Sequence, residues 1–166
     1  QGGEELMLAE LGHFALIVAF VLACLQGVAP LWGAWRGNTA MMLMAPALAV
    51  GVFVFVLIAF GVLTATFLQD DFSVKVVASN SNSLMPPIYK FSAVWGNHEG
   101  SLLLWVLILS GWMLAVAQFS RGLPLTVLAR VLGVMGLVAV GFIAFSLLTS
   151  NPFERLLPGV PADGQD

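Results

Sequence analysis

The run "AMMLMAPALAVGVFVFVLIAFGVLTATFL", Ala40–Leu68, holds no charged residue. A hydrocarbon core is crossed by about 20 apolar residues in α-helical form, each advancing about 1.5 Å. A helix is the form this run must take in lipid, because only a helix or a closed barrel satisfies its own backbone there. Pro46 lies close to the start of the run and predicts either a kink or a beginning one turn later.

The same pattern recurs on both sides. No charge falls between Glu10 and Arg36, between Arg36 and Asp70, between Glu99 and Arg121, or between Arg130 and Glu154. Four spans follow, at about Gly12–Trp32, Ala40–Leu68, Ser101–Phe119 and Val131–Thr149. The predicted fold is all-α, a polytopic membrane helix bundle forming a single membrane domain over residues 1–166. The composition agrees, with 60% hydrophobic and 9% charged residues in a chain of 166. A single globule of this size cannot cover so much apolar surface with so few polar side chains. The bilayer is therefore the first partner. The six basic residues form no patch for nucleic acid, and the lone Cys24 can make neither an internal disulfide nor a thiolate metal site. Glu4, Glu5 and Glu10 are the only charges near the N-terminus, so this stretch is not expected to be the basic leader of a cleavable signal peptide.

Positive residues set the expected orientation. "WGAWRGN" carries Arg36, and "SRGLPLTVLAR" carries Arg121 and Arg130; neither contains an acid. All nine acidic residues fall in the N-terminus, the Gln69–Gly100 loop and the tail after Ser150. Lys75 and Lys90 dilute this bias, but an even number of spans fits both ends and the long loop lying outside. Trp32, Trp35, Trp95 and Trp105 read as headgroup anchors near span ends, and Trp112 as a packing residue nearer mid-span.

The outer loop is long for a bare connection. "FSVKVVASNSNS" starts with alternating Phe72, Val74 and Val76 and ends in turn-forming residues. Pro86-Pro87 can open a helix. Beyond them Ile88, Phe91 and Trp95 recur at helical spacing, with Lys90 and Ser92 off that face, predicting a short helix lying flat on the outer surface. "WGNHEGS", Trp95–Ser101, then joins it to the third span. Asn97 is suited to cap that span, with Asp expected to serve as well, and Glu99 suits the positive end of its dipole. Gly96 would permit the turn, and Gly100 a close backbone approach. His98 is either a helix-entry residue or a site residue, since imidazole is a frequent metal ligand and proton carrier. His13, at the entry to the first span, is equally ambiguous. No metal-ligand spacing, phosphate loop or nucleophile triad accompanies them.

"VVASNSNSLMPPIYKFSAVWGNHEGSLLLWVLILSGW", Val76–Trp112, resembles the first outer loop and following span of the CcmF-type cytochrome c haem lyases. "ELGHFALIVAFVLACLQGVAPLWG" and "TSNPFERLLPGVPADGQD" are similar to the opening and the next outer loop of the same family. A related branch serving nitrite reductase maturation shares these features. The resemblance implies a multi-pass protein of the bacterial inner membrane. It takes haem from a periplasmic haem chaperone, works with subunits that handle apocytochrome c, and forms thioethers at Cys-x-x-Cys-His motifs. A permanent haem b is a further implication, with iron ligands and the Trp-rich segment downstream of Asp166. The chain would then be the N-terminal part of a longer protein, inactive alone. By resemblance the site comprises Trp95, Gly96, His98, Glu99, Gly100 and Ser101, as haem-proximal or partner-contacting residues with no iron ligand or catalytic group. A non-catalytic scaffold binding partner subunits through the outer loop is the alternative.

Overall fold

A computed structural model describes residues 2–156 and 158–165, with side chains from residue 7 onward. Six helices follow in order: α1 (Gly2–Arg36), α2 (Thr39–Leu68), α3 (Lys75–Asn80), α4 (Pro87–Gly96), α5 (His98–Phe119) and α6 (Leu125–Leu148). Four of them, α1, α2, α5 and α6, are long and apolar enough to cross a membrane. Among the described residues there is no strand, only an isolated antiparallel bridge between Val74 and Arg155.

The helices differ from the expected spans at their ends, for local reasons. Asn38 caps α2, its side chain accepting the Met41 N–H at 3.3 Å. Thr39 is thus the true start, and Pro46 lies inside the helix. At α6 the charge on Arg130 does not mark the boundary. The helix begins at Leu125 and Arg130 is exposed on its second turn, where a long side chain can reach the headgroups. The third span starts three residues earlier than Ser101, at His98, immediately after its cap.

Small residues set the bundle's spacing, as expected where lipid supplies no hydrophobic drive between helices. On α1, Ala15, Ala19 and Ala23 are buried at four-residue steps; on α2, Ala45, Ala49, Val52, Val56 and Ala59 form the buried stripe. α1 packs on α2 and α6, and α5 packs on α2 and α6. At the α1–α6 crossing, a Cβ on Gly136 would lie 2.8 Å from the Gly27 backbone nitrogen, so only glycine allows this approach. Beside it the fully buried Gln26 donates from Nε2 to the Leu132 carbonyl at 3.2 Å, tying the two helices at mid-span. Two tryptophans depart from the expectation. Trp112 does not pack within the bundle but is 64% exposed, and Trp105 lies seven residues inside α5 instead of at its end.

Candidate functional site at the outer elbow

The end of the bundle expected to lie outside, here called the outer end, is organised by the loop between α2 and α5. It is partly helical: α3 replaces the alternating stretch, with Val76, Val77 and Ala78 buried. α4 does form where Pro86-Pro87 predicts it. Its Ile88, Phe91 and Trp95 stripe is exposed, with Phe91 and Trp95 edge to face at 5.0 Å between centroids. The adjoining flank carries the buried Val94 and Lys90 into the protein. Lys90 is 6% exposed, and its Nζ lies 2.6 Å from both carboxylate oxygens of Asp70. Asp70 stands just past the end of α2 with φ +57, a left-handed conformation that Asp tolerates better than most residues. This pair clamps α4 onto the end of α2. Sequence reading missed it, although Lys90 and Val94 stand four residues apart, one helical turn.

The elbow itself is held by Asn97. Its Oδ1 accepts the Gly100 N–H at 2.7 Å, capping α5. Its Nδ2 donates back to the carbonyls of Ala93 at 2.7 Å and Val94 at 3.2 Å, closing α4. One side chain therefore serves two helices. Asp is consequently no equivalent of Asn here, since it has no N–H to give and would set a carboxylate against two carbonyls. The two glycines also differ. A Cβ on Gly100 would fall 1.6 Å from the Val94 carbonyl oxygen, whereas one on Gly96 would meet nothing within 4 Å. Gly96 has no positive φ, so the turn does not require glycine there.

Of the six predicted site residues, Trp95, Gly96 and His98 are exposed, Glu99 and Ser101 are half-buried, and Gly100 is buried beneath Val94. Glu99 occupies the first turn of α5, where the helix dipole favours its charge. His98 Nδ1 is 3.2 Å from the Ser150 hydroxyl, and its ring meets Phe145 of α6 edge-on with centroids 6.3 Å apart. Phe145 also lines an apolar groove of ≈ 450 Å³ between α5 and α6.

His13 has a parallel arrangement that sequence reading did not foresee. Its Nδ1 is 3.3 Å from Asn151 Nδ2. Asn151 Oδ1 is committed to the Phe153 N–H at 3.0 Å, so Nδ2 is the donor and His13 carries its own proton on Nε2. The two histidines are thus fixed by consecutive residues, Ser150 and Asn151, of the turn that leaves α6. A recess of ≈ 270 Å³ opens beside His13, lined by Ala9 and Phe153 as well as Glu10, Asn151, Glu154 and Arg155. No His/Cys/Asp/Glu group among the described residues is arranged to hold a metal ion.

The tail is stitched onto the outer loop. Lys75 N donates to the Glu154 carbonyl at 2.8 Å, Leu156 N to Ser73 O at 2.8 Å, and Arg155 Nη1 to Ser73 Oγ at 2.6 Å. Farther along, Asp163 accepts from the Ser83 hydroxyl at 2.7 Å and the Ser83 N–H at 2.9 Å. The Ser83 hydroxyl first, and backbone N–H donors after it, hold this carboxyl below its ordinary range.

A membrane bundle with an ordered outer elbow defines a class, and comparison with known proteins narrows it. Residues 95–166 match the family model described as cytochrome C assembly protein. The chain is 60% identical to the cytochrome c-type biogenesis protein CcmF of Pseudomonas aeruginosa over 96% of its own length and 24% of that protein's. Identity to CcmF of Pseudomonas fluorescens is 56%, over 98% of the chain and 25% of the relative. Among solved structures, the cytochrome c haem lyase CcmF superposes with a TM-score of 0.83 at 27% identity, covering 92% of this chain and 26% of that one. The chain is similar to CcmF-type proteins over nearly its whole length and spans about a quarter of the length of the curated relatives it matches.

Proposed function

We propose that the chain forms the first membrane unit of a bacterial inner-membrane haem lyase, and that its outer end, with both termini, faces the periplasm. There it takes part in moving haem from a periplasmic chaperone to apocytochrome c. The observation that carries this reading is the 60% identity to a CcmF across nearly the whole chain, elbow included. Haem in this role is cargo; its vinyl groups supply the chemistry that cysteine thiols complete as thioethers.

The chain's own residues suit contact with such a flat, largely apolar molecule. Trp95 and the exposed α4 stripe offer aromatic surface. His98 is held by Ser150 through Nδ1, which leaves Nε2 as its nitrogen for a propionate or a partner side chain. Asn97 and Gly100 are positioning residues: they set the angle between α4 and α5 and so the place of Trp95 and His98. His98 is cast as a contact residue and not as an iron ligand.

In the full-length protein, His98→Ala should lower c-type cytochrome maturation by about tenfold, a typical cost for losing an outer contact at a metal centre. The haem absorption spectrum of the purified protein should be retained. Loss of that spectrum at normal protein levels would make His98 an iron ligand. Full maturation would reduce the elbow to a helix entry.

A further inference from the structure

α5 carries an outward seam that the outer elbow does not explain. Trp105 and Trp112 are 66% and 64% exposed, with Ile108, 53% exposed, between them and Phe119, 89% exposed, one heptad beyond Trp112. Steps of three, four and seven residues put these side chains on one face of the helix. The buried face, Leu103, Val106, Ser110, Met113 and Ala117, points the other way.

Depth distinguishes these tryptophans from the others. α5 has 22 residues from His98 to Phe119, so its midpoint falls between Ile108 and Leu109. At about 1.5 Å per residue, Trp105 and Trp112 each sit about 5 Å from that midpoint. Both are therefore within the hydrocarbon core. Trp32 and Trp35 stand in the last turn of α1, and Trp95 stands at the elbow, where an indole N–H can meet water or headgroups. An indole turned to acyl chains at mid-bilayer has no acceptor for its N–H, and unmet polar groups there are costly. Two such residues one heptad apart argue against a lipid occupant.

A second copy fits poorly as well. A twofold axis in a membrane runs along the bilayer normal, so each residue would meet its own copy at the same depth. Trp105 and Trp112 would then confront their counterparts, whereas close helix packing in lipid needs small residues opposite large ones. The heptad spacing calls for a different helix. The curated relatives run about four times the length aligned to this chain, the match covering 24% and 25% of them.

We propose that the Trp105–Ile108–Trp112–Phe119 seam of α5 is the docking face for a transmembrane helix supplied by the remaining part of the same CcmF-type polypeptide. That helix presents small residues and a hydroxyl or carbonyl acceptor to the two indoles. It extends onto the apolar groove reached through Leu102 and lined by Leu137, Val138, Gly141, Phe142 and Phe145. The inference rests on the similarity to CcmF-type proteins but not on the role of His98.

The test is photocrosslinking in native membranes of the full-length protein, with p-benzoyl-phenylalanine placed at Trp112. A second variant carries it at Ile108, so that a failure of the bulky indole position to accumulate does not end the test. Mass spectrometry should find both probes joined to one hydrophobic peptide of the same polypeptide outside residues 1–166. Adducts with lipid alone, with residues 1–166 of another copy, or with a different protein would each overturn the proposal, as would the absence of any protein adduct from both positions. His98→Ala leaves this crosslink unchanged, which separates its failure from failure of the haem-contact reading.

Discussion

The two ends of the bundle are built on different principles. At the inner end every connection is short and local. Gly37, at φ +70, and Asn38 join α1 to α2, and five residues from Ser120 to Pro124 join α5 to α6. Arg36 rests over the rings of Trp32 and Trp35 at 5.0 and 5.1 Å, a cation–π cluster within a single turn. Arg121 hydrogen-bonds Gln118, also one turn away. At the outer end the contacts are distant in sequence: Lys75 with Glu154, Ser83 with Asp163, His98 with Ser150 and His13 with Asn151. Long-range closure costs chain entropy that a simple return of the chain would not. The inner end merely reverses the chain, while the outer end holds a surface in place. Loops held by a rigid scaffold are where binding residues concentrate.

The largest effect is expected at the elbow. Gly100→Ala drives a methyl group into the Val94 carbonyl and should cost about 3 kcal/mol, at the upper end for overpacking. Gly96→Ala, four residues away with open space around it, should stay within about 0.5 kcal/mol of the parent. Unfolding of both variants in detergent checks this; equal stability of the two would mean that α4 is not clamped against α5.

A somewhat smaller loss should follow from breaking the α4 clamp. Lys90→Met leaves Asp70 without its cation and should cost about 2–3 kcal/mol. That is below the loss for a fully enclosed pair, because the Asp70 side chain keeps 27% of its exposure. Adding Asp70→Asn should return part of the loss, since no lone charge then remains. By contrast Lys75→Met, which breaks a pair about half-exposed on both sides, should change stability by less than about 1 kcal/mol. If the two lysine variants behave alike, the outer end is no more tightly built than an ordinary loop.

The sequence revealed what depends on periodicity and punctuation. Four charge-free runs gave the four spans, Pro86-Pro87 gave α4, and Asn97 gave the cap of α5. It concealed what depends on tertiary pairing. Asp70 and Lys90 are 20 residues apart and are brought together by a left-handed residue that no local pattern announces. Ser150 and Asn151 look like loop residues until the fold sets them beside the two histidines. The second role of Asn97, donating to α4, was equally hidden because it needs the angle between two helices. Trp112 was misread for a simpler reason: mid-span position implies burial in a complete bundle, and α5 turns that residue outward.

The two ends should lie on opposite sides of the membrane, with the elbow outside. Accessibility to an impermeant thiol reagent tests this most directly, in the full-length protein with Cys24 replaced by Ala. Ser81 is fully buried and unsuited to the purpose, whereas Leu84 in the outer loop is 91% exposed and Gly122 lies exposed in the α5–α6 turn. Leu84→Cys should be labelled in intact cells, and Gly122→Cys only after the membrane is opened. Labelling of Gly122→Cys in intact cells, with Leu84→Cys protected, would invert the topology and contradict the account.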